Sequence, residues 1–165
     1  VGESVKEISG RTGEAMALKR VARFTQPRGT VAHYLQYPGQ VGVLVDIEGP
    51  VGEALTGLAK ELGLHVASAD PQPLGVLESD LPAELVARER RIAEEVVVQE
   101  GKPENIRAKI VDGKVRKFVA ERTLLGQPFV KDDKKSVGNL LQEAGQAAGG
   151  AIAVRRFARF KVGEG

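Results

Sequence analysis

Side chains able to do covalent chemistry are scarce in this chain. Its 165 residues include no Cys, no Trp and only two His, His33 and His65. A thiol nucleophile, a disulfide and a Cys-based zinc site are therefore excluded, and a hydroxyl nucleophile would have to draw its base from those two imidazoles. His33 falls on an expected strand and His65 on an expected helix, neither beside a Ser. Both read as structural or surface histidines. Asp132 and Asp133 sit among lysines, a balance that suits a solvated turn better than a cation site. No Gly-rich run ends in Lys-Ser or Lys-Thr, so the phosphate-cradling loop is missing. No catalysis, metal or cofactor is expected.

Binding chemistry has more to work with. Gly10-Arg11-Thr12-Gly13 has the outline of a Gly-x-x-Gly clamp for a nucleic-acid backbone. Arg155, Arg156, Arg159 and Lys161, with Phe157 and Phe160, could form a basic, aromatic strand face. Against both stands the total charge: 24 Lys plus Arg oppose 22 Asp plus Glu, a net of +2, too small for a general polyanion binder. Basic character must be local, and nucleic acid is not the expected partner. Tyr37 with Pro38, and Phe129 with Val130, are candidate apolar anchors for a protein interface, and each could equally fill a core. The longest apolar runs, such as Val41 to Val45, fall far short of the roughly 20 residues that span a bilayer. No charged-then-apolar leader opens the chain. A soluble, cytoplasmic protein with no membrane contact is expected, and the first residue, Val1 rather than Met, suggests processing or a piece of something longer.

Several short elements must position these residues. Residues 1–16 show a weak helical spacing at Val5, Ile8 and Thr12, ending near Gly10 or Gly13. Ala17 to Phe24 alternates apolar and basic residues, as a half-buried strand does. Gln26-Pro27-Arg28-Gly29 and Pro38-Gly39 read as turns around a second strand, Thr30 to Tyr37, and a third follows from Val41 to Glu48. Connections this short make an antiparallel meander. Val51, Leu55, Leu58, Leu62 and Val66 recur at helical spacing on a helix that can cover the sheet, weakened by Gly52, Gly57 and Gly63. Asp70 to Leu77 is a loop. Near the other end, Lys131 to Lys135 reads as a charged turn, Ser136 as a helix N-cap, Gly145 to Gly150 as a flexible link, and Ala151 to Val162 as the last strand. Arg20-Val21-Ala22-Arg23-Phe24 and Arg156-Phe157-Ala158-Arg159-Phe160 agree at four of five positions. They are expected to be two strands of one sheet, with Asp46 and Glu48 compensating their charge.

Between these parts, residues 83–124 carry ten Lys or Arg and eight Asp or Glu, about 43% charged against 28% for the chain. Helices over Ala83 to Glu100 and from Pro103 to Leu124, broken at Gly101, are expected to pair in water. Leu85, Ile92 and Val96 would face Ile106, Ile110 and Phe118 along a narrow seam. The expected fold class is α+β, a three- to four-stranded antiparallel sheet covered by helices, with a protruding antiparallel helical hairpin. The expected organisation is a short segment over 1–16, a core domain over 17–80 and 125–165, and an arm over 81–124 inserted in it.

Four strings in this order are specific together: Gly42-Val43-Leu44-Val45, Glu100-Gly101-Lys102-Pro103, Gln127-Pro128-Phe129-Val130-Lys131-Asp132, and the ending Arg156 to Gly165. With the helical pair between the second and third, the chain from about Thr12 onward resembles bacterial translation elongation factor Ts. The resemblance implies a nucleotide exchange factor that binds elongation factor Tu and speeds GDP release, with no bond-making activity of its own. It implies contacts at Thr12 and Gly13, at Tyr37, and at Phe129 and Val130. The chain departs from the family pattern at Tyr37, near which a His is common, and at Thr12, where an aliphatic residue is usual. The family's opening helical domain and its Thr-Asp-Phe motif do not occur in these residues, which look like the second of two similar core halves. Binding with poor exchange is the expectation for such a chain. The alternative is a structural module that dimerises through the helical arm.

Overall fold

The computed structural model describes residues 1–164. Helix α1 (Gly2–Thr12) is followed by strands β1 (Gly29–Gln36) and β2 (Val41–Glu48), then helix α2 (Glu53–Ser68). After a 3-10 turn at Glu78–Asp80 come α3 (Ala83–Gln99) and α4 (Glu104–Arg122), the short strands β3 (Pro128–Phe129) and β4 (Asp132–Ser136), α5 (Val137–Ala148), and β5 (Ala153–Lys161). The result is an α+β fold with a three-stranded antiparallel sheet in the order β1-β2-β5 and a two-stranded sheet of β3 and β4.

Alternation along β2 sets the layers. Val41, Val43, Val45 and Ile47 are buried and meet Leu55, Leu58, Leu62 and Val66 of α2 in one core, as the period-2 and period-3.6 patterns require. Gly63 is needed for that approach, because a Cβ there would lie 2.8 Å from the Cβ of Tyr34 on β1. Gly57 on the same helix has open space around it. Leu124, Phe129, Val137 and Leu141 extend the core from the other end of the chain.

Helices α3 and α4 turn back on each other at residues 100–103 and close a second, smaller core of Ala93, Val97, Val111 and Val115. This seam lies one position away from the expected one. Ile92 is 43% and Ile106 39% exposed, because small residues let the helices approach closely and one residue is a rotation of about 100°. Arg90 Nη1 and Asp112 Oδ1, 2.8 Å apart, tie the two helices at their surface. The end of α4 is held where Leu124 N donates to Gly75 O and Leu74 N donates to Arg122 O.

Three expectations need correction. Residues 17–24 are not a strand. They run antiparallel to β5 all the same, with Arg20 over the Phe160 ring at 4.9 Å and Arg156 over the Phe24 ring at 4.4 Å. Their side chains reach onto the outer sheet face while the backbone joins no ladder, so the repeated pentapeptide makes one strand and one strap. Lys131 to Lys135, expected as a charged turn, falls largely in strand β4 (Asp132–Ser136), since Pro128 pairs with Ser136 and Phe129 with Asp132. Gly145 to Gly150 is not a loose link: α5 continues to Ala148, and Gly145 lets Gly150 O come within 2.9 Å of where a Cβ would stand. Ser136 caps α5 as expected, its Oγ accepting from Asn139 N at 3.1 Å. Asp46 and Glu48 compensate the basic strand as expected, through Arg156 at 2.9 Å and Arg155 at 3.0 Å.

Candidate partner-binding surface

The residues singled out in the sequence lie on three supports. Tyr37 tops the β1–β2 turn and is 95% exposed, with Leu35 on the strand below it 64% exposed. A ring this free of its own protein costs nothing in native contacts to bury elsewhere, and aromatic tips are what protein interfaces use as anchors. The turn is braced from the side by the end of β5, where Val162 N donates to Gln40 O at 2.8 Å.

Thr12 and Gly13 end α1. Thr12 Oγ1 donates to Ile8 O at 2.9 Å, and Gly13 takes the left-handed conformation at φ 71°, its N–H closing on Ser9 O. This is a helix C-cap built as the Gly permits. No residue of α1 is buried, and Ile8 is 46% exposed.

Phe129 and Val130 separate in role. Phe129 is in the core, stacked on His65 with ring centroids 5.9 Å apart, while Val130 is 44% exposed beside it. Beneath them lies a closed polar network. Val130 N donates to His65 Nδ1 at 3.2 Å, so His65 is protonated on Nε2, which donates to Gln127 Oε1 at 2.9 Å. Gln127 Nε2 then donates to Pro71 O and Glu121 O. Four segments are joined through one imidazole. Burial pushes the His65 pKa below its ordinary 6.5, only partly opposed by the Gln127 bond, and the neutral ring is the form the network needs. His65 thus fixes the position of the Val130 backbone.

Among the described residues no hydrogen bond or ion pair links these three patches to one another. No cluster of three or more His, Asp or Glu is placed to hold a metal among them, and no helix is long and apolar enough to cross a membrane. Sequence reasoning missed the His65–Gln127–Val130 network, whose members lie more than 60 residues apart with no shared motif. It also missed Leu35, although its alternation with exposed His33 and Tyr37 marks it as outward-facing.

A family model described as Elongation factor TS matches residues 1–164. An elongation factor Ts of Sphingopyxis alaskensis is 43% identical over all of this chain and 55% of the relative. One from Nitratiruptor sp. is 41% identical, covering 99% of this chain and 54% of the relative. One from Rubrobacter xylanophilus is 37% identical, covering 97% and 83%. The chain spans about half the length of the first two of these relatives.

Proposed function

The chain belongs to the elongation factor Ts family, and on that premise we propose that it binds elongation factor Tu through the Tyr37 turn, Val130 and the α1 end at Thr12–Gly13. It serves guanine-nucleotide exchange as one part of a larger contact. Acceleration of GDP release requires that the partner's nucleotide-free state be bound more tightly than its GDP state, so that interface free energy offsets lost phosphate and magnesium contacts. No covalent step is involved. These 165 residues contain no Thr-Asp-Phe, the motif the family resemblance assigns to wedging near the magnesium site. The chain alone therefore binds and exchanges poorly. Phe129 acts in this reading as the support for Val130, and His65 fixes the backbone between them.

The observation that carries this reading is the pairing of a family match over residues 1–164 with a 95% exposed Tyr37 on a turn braced by β5. Calorimetric titration into GDP-loaded elongation factor Tu tests it. A complex with Kd of roughly 10 μM, about −7 kcal/mol, is expected of a small, partly polar interface, with GDP release only slightly accelerated. Failure to form any complex at that concentration contradicts the binding claim. Full exchange activity contradicts the role given to the wedge.

A further inference from the structure

The Tyr37 turn lies in an unevenly charged part of the surface. The two clefts that flank it are lined by Lys19, Arg20, Arg159 and Lys161 and by a single acid, Glu164. That is a local net of +3 in a chain whose total is +2. The cleft directly under Tyr37, of about 250 Å³, has Gln36 and Gln40 on its walls with Arg159 and Lys161. Arg159 is unusual there. Its side chain is only 11% exposed, and among the described residues its Nε is sealed from solvent with no acceptor and its one ion pair runs from Nη1 to Glu164 Oε2 at 3.1 Å. Lys161 Nζ shares the same carboxylate, 3.7 Å from Oε1. Glu164 itself is half exposed and comes from the turn just past β5, where Arg20 Nη2 donates to its backbone oxygen at 3.0 Å.

A guanidinium offers five donors in a fixed fork that matches a carboxylate. Here one carboxylate serves two cations, and among the described residues an N–H of the more buried one has no acceptor. Leaving a buried charged donor short of acceptors is unfavourable, so the arrangement is better satisfied when a further oxygen arrives. We propose that the cleft beside Tyr37 is a carboxylate-recognition subsite. In this subsite Arg159 is the fork and Lys161 the second cation, and Glu164 is an internal occupant that an acidic side chain of the docked protein displaces. The subsite deepens the functional reading above and rests on it for the identity of the docked protein. A carboxylate fits better than a phosphate backbone, because the Arg159 fork already holds one carboxylate, that of Glu164. The cations also steer an acidic face toward the Tyr37 anchor, which lets the ring seat in the right orientation.

The test uses the whole chain and three variants, Arg159→Gln, Arg159→Lys and Glu164→Gln, with elongation factor Tu as partner and thermal unfolding as the folding control. Arg159→Gln is expected to weaken binding about ten-fold and to flatten its salt dependence, and Arg159→Lys to lose part of that because the fork is gone. Glu164→Gln is expected to tighten binding about three-fold, since it removes the competitor. Equal affinity for wild type and Arg159→Gln overturns the subsite while leaving the functional reading intact. So does equal weakening by Arg159→Gln and Glu164→Gln, which would make the pair a brace for the strand end. Should the wild-type chain not bind the factor at all, the functional reading falls, and a glutamate hexapeptide decides the subsite. A saturable shift of the Arg159 Nε–H resonance, lost in Arg159→Lys, supports it, and no shift overturns it. A larger shift with an RNA oligonucleotide than with the glutamate peptide also overturns it.

Discussion

Helix α2 buries Leu55, Leu58, Leu62 and Val66 against the valines of β2, whereas α3 and α4 bury between them a seam of one Ala and three Val. The same contrast runs through the charges. Residues 83–124 hold 18 of the chain's 46 charged residues, ten basic against eight acidic, so the hairpin is close to neutral over its own length. The end of the sheet around Tyr37 has few charges, four of one sign and one of the other. Charge density marks a water-exposed element, and charge imbalance is what the docking proposal rests on. The near-neutral total of the chain hid that difference.

The largest test of the contrast is truncation in each core. Leu62→Ala is expected to cost about 3 kcal/mol in urea unfolding, with Val97→Ala in the hairpin seam nearer 2 kcal/mol or less. Equal losses would mean that the hairpin is no weaker than the sheet layer. Next comes the buried acid. Asp46 is 2% exposed, its Oδ2 accepting from Arg156 and its Oδ1 from Gln26. Asp46→Ala removes both bonds, and because Arg156 is half exposed and can turn to water the cost should be about 1 kcal/mol.

The His65 network predicts a pH effect on stability. Because burial lowers the folded-state pKa of His65 below 6.5, the unfolded chain takes up a proton there that the native chain refuses. Its stabilisation is present above the unfolded pKa and is lost as pH falls from about 6.5 toward the lowered native value. Urea midpoints from pH 7.5 to 5 should fall with a component that a His65→Gln variant lacks. An identical slope in that variant would mean that the network does not discriminate between ring states.

Smaller effects separate positions within one element. Gly57→Ala on α2, where nothing lies within 4 Å of the added carbon, should raise stability by up to about 1 kcal/mol. Gly63→Ala six residues on should lower it, because Tyr34 already stands there. The smallest effect belongs to the hairpin surface. Arg90 and Asp112 are both about half exposed, and Arg90→Ala should change stability by less than about 0.5 kcal/mol.

Legibility in the sequence followed the same division. Strands β1 and β2, helix α2 and the two charged helices were readable to within a few residues because burial period and turn chemistry agree there. Residues 17–24 carry a strand's alternation without its ladder, since alternation records which side chains are covered and says nothing about backbone partners. Lys131 to Lys135 is so charged that composition points to a turn, while Pro128 and Phe129 supply the pairing that makes it a strand. Of the site residues, Tyr37 was visible as an aromatic beside a Pro-Gly turn. Phe129 was equally visible as an apolar tip, yet its partner His65 lies more than 60 residues away, and only the fold shows that it faces inward. The Arg159 cleft was half legible. The basic strand could be counted, but which of its cations pair with Glu164 depends on a turn past the strand's end.

Amide hydrogen exchange of the chain with and without elongation factor Tu tests the central claim most directly. The account predicts new protection at residues 12–13, 35–40 and 159–164 and around Val130, with residues 83–122 unchanged or nearly so. Protection confined to the α3–α4 hairpin, or none at concentrations that saturate the complex, would contradict it.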